Sequence, residues 1–231
     1  MAQRSLLSRL WYQFLRHILR LFGVLFFSVR HFGRENIPKS GAVLVVSNHQ
    51  SHFDPPLVGI GSSRRMNYLA RDTLFRFGPF GWLIHSVDAI PIDREGLGLT
   101  GLKEALRRLK RGEMVLIFPE GTRTRDGRQA PFHPGFTVLA ARTKAAILPV
   151  GIEGAFDCWP RRRKFPLPGT IHVRFGPPIF PEDIAGRDER ELVAEIERRV
   201  SQCRAVIRQH PLFDYGRVGR AQRAPPKSAE Y

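Results

Sequence analysis

The chain has 231 residues, 42% hydrophobic and 25% charged, which suits one globular domain with a sizeable core. Its 37 basic and 21 acidic residues give a formal net charge of +16, favouring phosphorylated substrates, polyanions or an anionic membrane as partners. Only two cysteines occur, Cys158 and Cys203, without metal-like spacing, so a disulfide framework is excluded and a reducing compartment is expected.

Residues 4–29 carry Leu7, Leu10, Trp11, Phe14, Ile18, Phe22 and Leu25 at three- and four-residue steps. Arg4, Arg9, Gln13, Arg16 and Arg20 fall mainly on the other side, as in an amphipathic helix. The apolar run 21–29 is too short to span a bilayer, and Arg16, His17 and Arg20 interrupt any longer window. Six arginines and no acidic residue lie between Met1 and Arg34. The segment is therefore expected to lie in the interface of an anionic membrane, with packing on its own domain as the alternative.

From Gly33 onward short apolar runs alternate with helical stretches. Strands are predicted at 42–47, 66–70, 87–92, 113–118, 146–152 and 170–175, and helices at about 54–60, 72–84, 100–111, 134–144 and 187–209. The alternation predicts an α/β fold, a mixed, largely parallel sheet flanked by helices. Three regions follow: a membrane-associating helical segment over 1–30, an α/β domain over 31–210, and a flexible basic tail over 211–231, rich in Pro, Gly, Ala and Arg.

The first strand runs into Ser47-Asn48-His49-Gln50-Ser51-His52-Phe53-Asp54-Pro55-Pro56. A His and an Asp five positions apart, just past a strand end, supply a base and the carboxylate that orients it. No serine or cysteine nucleophile is required if the attacking hydroxyl belongs to the substrate. Asp54 before Pro55 also reads as a plain helix start. A metal site at His49, His52 and Asp54 is disfavoured, because no recognised ligand spacing is present.

Two further strand ends carry cations. Ala89-Ile90-Pro91-Ile92 leads to Asp93-Arg94, and Met114-Val115-Leu116-Ile117-Phe118 leads to Pro119-Glu120-Gly121-Thr122-Arg123-Thr124-Arg125. Gly121 permits a tight turn that presents backbone N–H groups, the Thr122 hydroxyl and the Arg123 guanidinium to an anion. The planar fork of Arg suits phosphate, and Arg94 is a candidate for a second clamp.

Asn48-His49-x-Ser51-x-x-Asp54, Ile92-Asp93-Arg94, Phe118-Pro119-Glu120-Gly121-Thr122-Arg123 and Leu148-Pro149-Val150-Gly151-Ile152 resemble, in order, the four blocks of the glycerolipid acyltransferases. Similarity is greatest to the 1-acylglycerol-3-phosphate (lysophosphatidic acid) acyltransferases and covers roughly residues 30–205. The resemblance implies that His49 deprotonates the acceptor hydroxyl and that Asp54 orients it. It assigns Arg94, Glu120, Gly121, Thr122 and Arg123 to the phosphate and glycerol of the acceptor. Asn48 and Ser51 support the motif, and Pro149-Val150 shapes an acyl or acceptor pocket. The implied donor is an acyl-CoA or acyl-carrier protein, the acceptor lysophosphatidic acid and the product phosphatidic acid, made by direct transfer with no cofactor. The implied location is the cytoplasmic face of a membrane, as a peripheral or monotopic protein.

The second block departs from the family pattern, with Asp88 and Pro91 where a Gly and an aromatic residue are common. Another lysolipid or lipid hydroxyl is thus the alternative acceptor, and a non-catalytic anionic-membrane-binding protein a further reading. Nucleic acid is not an expected partner despite Arg161-Arg162-Arg163-Lys164, because aromatic residues do not alternate with the basic ones.

Overall fold

The computed structural model describes residues 5–76, 78–87, 89–92 and 99–212. In chain order these form α1 (Leu6–Phe27), β1 (Arg30–Phe32), β2 (Val43–Ser47), α2 (Asp54–Gly61), β3 (Met66–Arg71), α3 (Asp72–Phe75), α4 (Gly78–Ser86), β4 (Ile90–Ile92) and α5 (Leu99–Lys110). Beyond them come β5 (Met114–Ile117), α6 (Thr137–Thr143), β6 (Ala146–Glu153), α7 (Ala155–Cys158), β7 (His172–Phe175), α8 (Pro181–Ile184) and α9 (Glu189–Gln209). The strands join in one sheet of order β1-β7-β6-β2-β5-β3-β4. Only β6 and β7 pair antiparallel, so the sheet is mixed and largely parallel, with helices on its faces.

Strand β2 lies between β5 and β6, and its apolar run follows from that position. Val43, Leu44, Val45 and Val46 are all fully buried, because both faces of the sheet are covered. Val43 and Val45 pack with Leu57, Met66, Leu116, Leu148 and Phe175. Leu44 and Val46 point the other way, into Leu109, Leu139, Ile147, Ile196 and Val200. Burying each such side chain contributes about 1.5–3 kcal/mol. Helix α9 completes the second layer through Leu192, Ile196 and Val200, and Asp188 caps it by accepting the N–H groups of Arg190 and Glu191.

Helix α1 touches the domain through a narrow face, where Tyr12, Gly23 and Phe27 are buried. Leu7, Leu10, Phe14, Leu21, Leu25 and Phe26 stand exposed. Arg16 turns inward instead of joining the polar side, donating to the carbonyls of Ser62 and Ser63. No described helix is long and apolar enough to cross a membrane.

The stretch predicted as one helix over 72–84 divides into α3 and α4. Pro79 lacks an N–H and is tolerated only in a first turn, so a new helix begins at Gly78. Strand β1 escapes pattern reading because three residues carry no periodicity, and the strand expected over 87–92 is shorter, at Ile90–Ile92. Asp88, the Asp93-Arg94 pair and the tail from 213 onward lie outside the described residues.

Candidate active site

Parallel pairing of Val46 with Ile117 brings the carboxyl ends of β2 and β5 to the same edge of the sheet. The loops that follow them therefore meet, at the place where open α/β sheets bind ligands. His49 Nδ1 lies 2.7 Å from Asp54 Oδ2. That oxygen also accepts the backbone N–H groups of Gln50 at 2.5 Å and Ser51 at 2.7 Å. Asp54 is fully buried, and its carboxylate accepts from the Nδ1–H of His49. Asp54 is the first residue of α2 rather than its cap, since Phe53 occupies that position. Its carboxylate organises the preceding loop.

The imidazole stacks on Phe118, with ring centroids 4.0 Å apart and planes 15° from parallel. The backbone of His49 is gripped from both sides. Its N–H donates to Glu120 Oε1 at 2.8 Å, and its carbonyl accepts from Thr124 N–H at 2.9 Å. Glu120 Oε2 accepts the N–H of Ala130 at 3.1 Å, so this carboxylate binds two protein loops. Burial pushes the Glu120 carboxyl up to about 7 against those hydrogen bonds.

Asn48 acts as an extra strand residue: its amide donates to Ile152 O at 3.0 Å and accepts from Ile152 N–H at 2.8 Å. Ser51 Oγ donates to Trp159 O at 2.9 Å. Gly121 adopts φ +66°, the left-handed turn expected of it, and Thr122 is exposed. Arg123 is half-buried, and after burial itself its charge is the next cause holding His52 below its usual pKa. Pro149 sits inside β6, paired with Val46. Arg94 lies outside the described residues.

The acyltransferase family model matches residues 28–153, more than half of the chain. The chain belongs to the acyltransferase family. A solved structure similar to this acyltransferase is the 1-acyl-sn-glycerophosphate acyltransferase PlsC of Thermotoga maritima, with 28% identity and a TM-score of 0.79. The likeness covers 91% of this chain and 85% of that one. The 1-acyl-sn-glycerol-3-phosphate acyltransferase of Pseudomonas aeruginosa is 33% identical over 85% of this chain and 76% of its own. That of Bacillus subtilis is 27% identical over 83% of this chain and 94% of its own.

Several residues around the acyltransferase site escaped the sequence. A cavity of about 380 Å³ opens between α1, α2, β3 and α4, lined by Leu15, Leu19, Ile60, Leu69, Leu83 and Ile84 among others. His52, Phe53, Pro56 and Trp159 also line it, so it adjoins the loop that carries His49 and Asp54. Two cations join the site from distant parts of the chain. Arg71 acts on His52 from the end of β3, and Arg161 Nη1 lies 3.5 Å from Thr122 Oγ1. Neither belongs to a motif; Arg71 comes in at the end of β3 and Arg161 on the loop after α7. Among the described residues no cluster of His, Cys, Asp and Glu could hold a metal ion.

Proposed function

We propose that this acyltransferase moves an acyl group from an acyl-CoA or acyl-carrier protein to the free hydroxyl of 1-acylglycerol-3-phosphate, forming phosphatidic acid for phospholipid synthesis. The observation that carries the reading is the 2.7 Å contact of His49 with Asp54 beside the Gly121 turn. His49 Nε2 takes the proton of the acceptor hydroxyl as its oxygen attacks the thioester carbonyl. The tetrahedral intermediate collapses to an ester, and the thiolate leaves and takes up a proton. Acyl transfer is direct, without an acyl-enzyme. Arg123, with Arg94, holds the acceptor phosphate, while the Gly121 turn and the Thr122 hydroxyl add donors. The apolar cavity takes a fatty acyl chain, since its wall is mainly aliphatic and it begins at the catalytic loop.

The exposed apolar side of α1 seats the enzyme on the cytoplasmic face of an anionic membrane, as a peripheral or monotopic protein. Both lipid substrates then reach the site from the bilayer.

The test is acyl transfer to lysophosphatidic acid in mixed micelles, run with acyl-CoA and with acyl-carrier protein. Phosphatidic acid from either donor supports the reading and fixes the donor. No product with lysophosphatidic acid, but product with another lysolipid, withdraws the acceptor and keeps the chemistry.

A further inference from the structure

The segment after α7 is a small, closed loop with an unusual surface. Trp159 and Leu167 close it: Trp159 N–H donates to Ala155 O, Leu167 N–H to Cys158 O, and Trp159 Nε1 to Arg163 O, at 2.9–3.0 Å. Arg163 also donates to Asp157 O at 3.3 Å. On this scaffold Phe165 is 68% exposed and Leu167 52% exposed. Arg161, Arg162 and Lys164 are exposed beside them, and no acidic residue occurs between Asp157 and Glu182. Large apolar side chains held out on a fixed loop, rimmed by cations, are the pattern of a contact with an apolar phase beneath an anionic surface.

Its place in the fold gives the loop a direction. Ser51 Oγ bonds Trp159 O, so the loop is tied to the catalytic loop. Just beyond Leu167, the N–H groups of Gly169 and Ile171 donate to the carbonyls of Phe26 and Phe27 at the end of α1. The chain just after Leu167 therefore runs along the end of α1, where Leu21, Leu25 and Phe26 are all at least half exposed.

We propose that the 159–167 loop is a second membrane contact, whose partner is an anionic phospholipid bilayer. Phe165 and Leu167 enter the boundary between headgroups and acyl chains, and Arg161, Arg162 and Lys164 meet lipid phosphates. Bonded to Ser51, the loop holds the mouth of the site at headgroup depth. The inference rests on the membrane reading of α1 for its setting but makes a separate demand on the loop.

The experiment places an environment-sensitive fluorophore at position 165 through Phe165→Cys; Cys158 and Cys203 are buried and shielded from the label. Vesicles of equal phosphatidylcholine and phosphatidylglycerol should shift its emission to the blue, and pure phosphatidylcholine much less. In parallel, Phe165→Asp combined with Leu167→Asp should weaken vesicle affinity at least tenfold while leaving turnover of a dispersed, short-chain acceptor unchanged. Bound protein with no emission shift, or unchanged affinity of the double variant, overturns the inference. So does a shift produced by a soluble polyanion and not by vesicles. Leu7→Asp with Leu10→Asp tests α1 alone: if that pair releases the protein and the loop pair does not, the α1 reading stands and this inference fails. The converse result keeps the loop and removes α1 as the anchor.

Discussion

Glu120 Oε1 accepts the backbone N–H of His49 at 2.8 Å, joining residues 71 positions apart. With Oε2 on Ala130 N–H, both oxygens meet protein donors, so Glu120 fixes where His49 stands. Glu120→Gln leaves one of these buried N–H groups facing an amide NH₂. At pH 4.5, stability should fall by about 1–3 kcal/mol in chemical denaturation. Turnover should fall with KM for the acceptor nearly constant. A raised KM at constant kcat would instead show that Glu120 touches the acceptor, the role implied by the family resemblance.

Burial also sets a pH dependence. The Glu120 carboxyl is pushed from 4.5 to about 7, so the folded state favours its protonated form. The associated stability is complete below pH 4.5 and is lost as pH rises through 7. Wild type compared with Glu120→Gln should lose on the order of 3 kcal/mol of relative stability across that window. A flat difference from pH 4.5 to 7 contradicts this.

His31 has the opposite sign. Its Nε2–H donates to Leu57 O at 2.8 Å, and burial lowers the ring to about 4 from 6.5. Stability from this group is complete above pH 6.5 and drains away as pH falls through 4. His31→Gln should flatten the acid limb of a stability–pH curve; an unchanged limb would place the acid sensitivity elsewhere.

Arg204 Nε bonds the fully buried Glu153 at 2.6 Å and its Nη2 bonds Gly127 O at 2.9 Å. Arg208 shares the same Glu153 oxygen, while Gln50, next to His49, reaches the other at 3.5 Å. Arg204→Met leaves a buried carboxylate with a single, half-exposed cation. The cost should approach 3 kcal/mol, the lower end for a broken buried pair, because Arg208 remains. Urea denaturation measures it.

Filling the apolar cavity should change chain-length preference. Ala70 lines it, and Ala70→Phe should lower kcat/KM for long acyl donors at least tenfold while sparing short ones. An equal loss for all lengths would indicate that the acyl chain lies elsewhere.

Much of this architecture was legible because it is local. The runs that became β2, β5 and β6 are continuous and apolar, as strands buried on both faces must be. His49 and Asp54 are five residues apart, so one short turn brings them together. What stayed hidden depends on tertiary closure. The clasp of Glu120 on His49, the approach of Arg161 to Thr122 and the inward turn of Arg16 each join residues dozens of positions apart. The single-turn helices α7 and α8 are four residues each, too short to show a period.

The most direct measurement is phosphatidic acid formation by His49→Ala against wild type, at equal protein on mixed micelles. Loss of about 10²–10⁴-fold in kcat, with vesicle binding unchanged, is the predicted result for a general base. Equal turnover by the two proteins would contradict the assignment of His49 and the mechanism built on it.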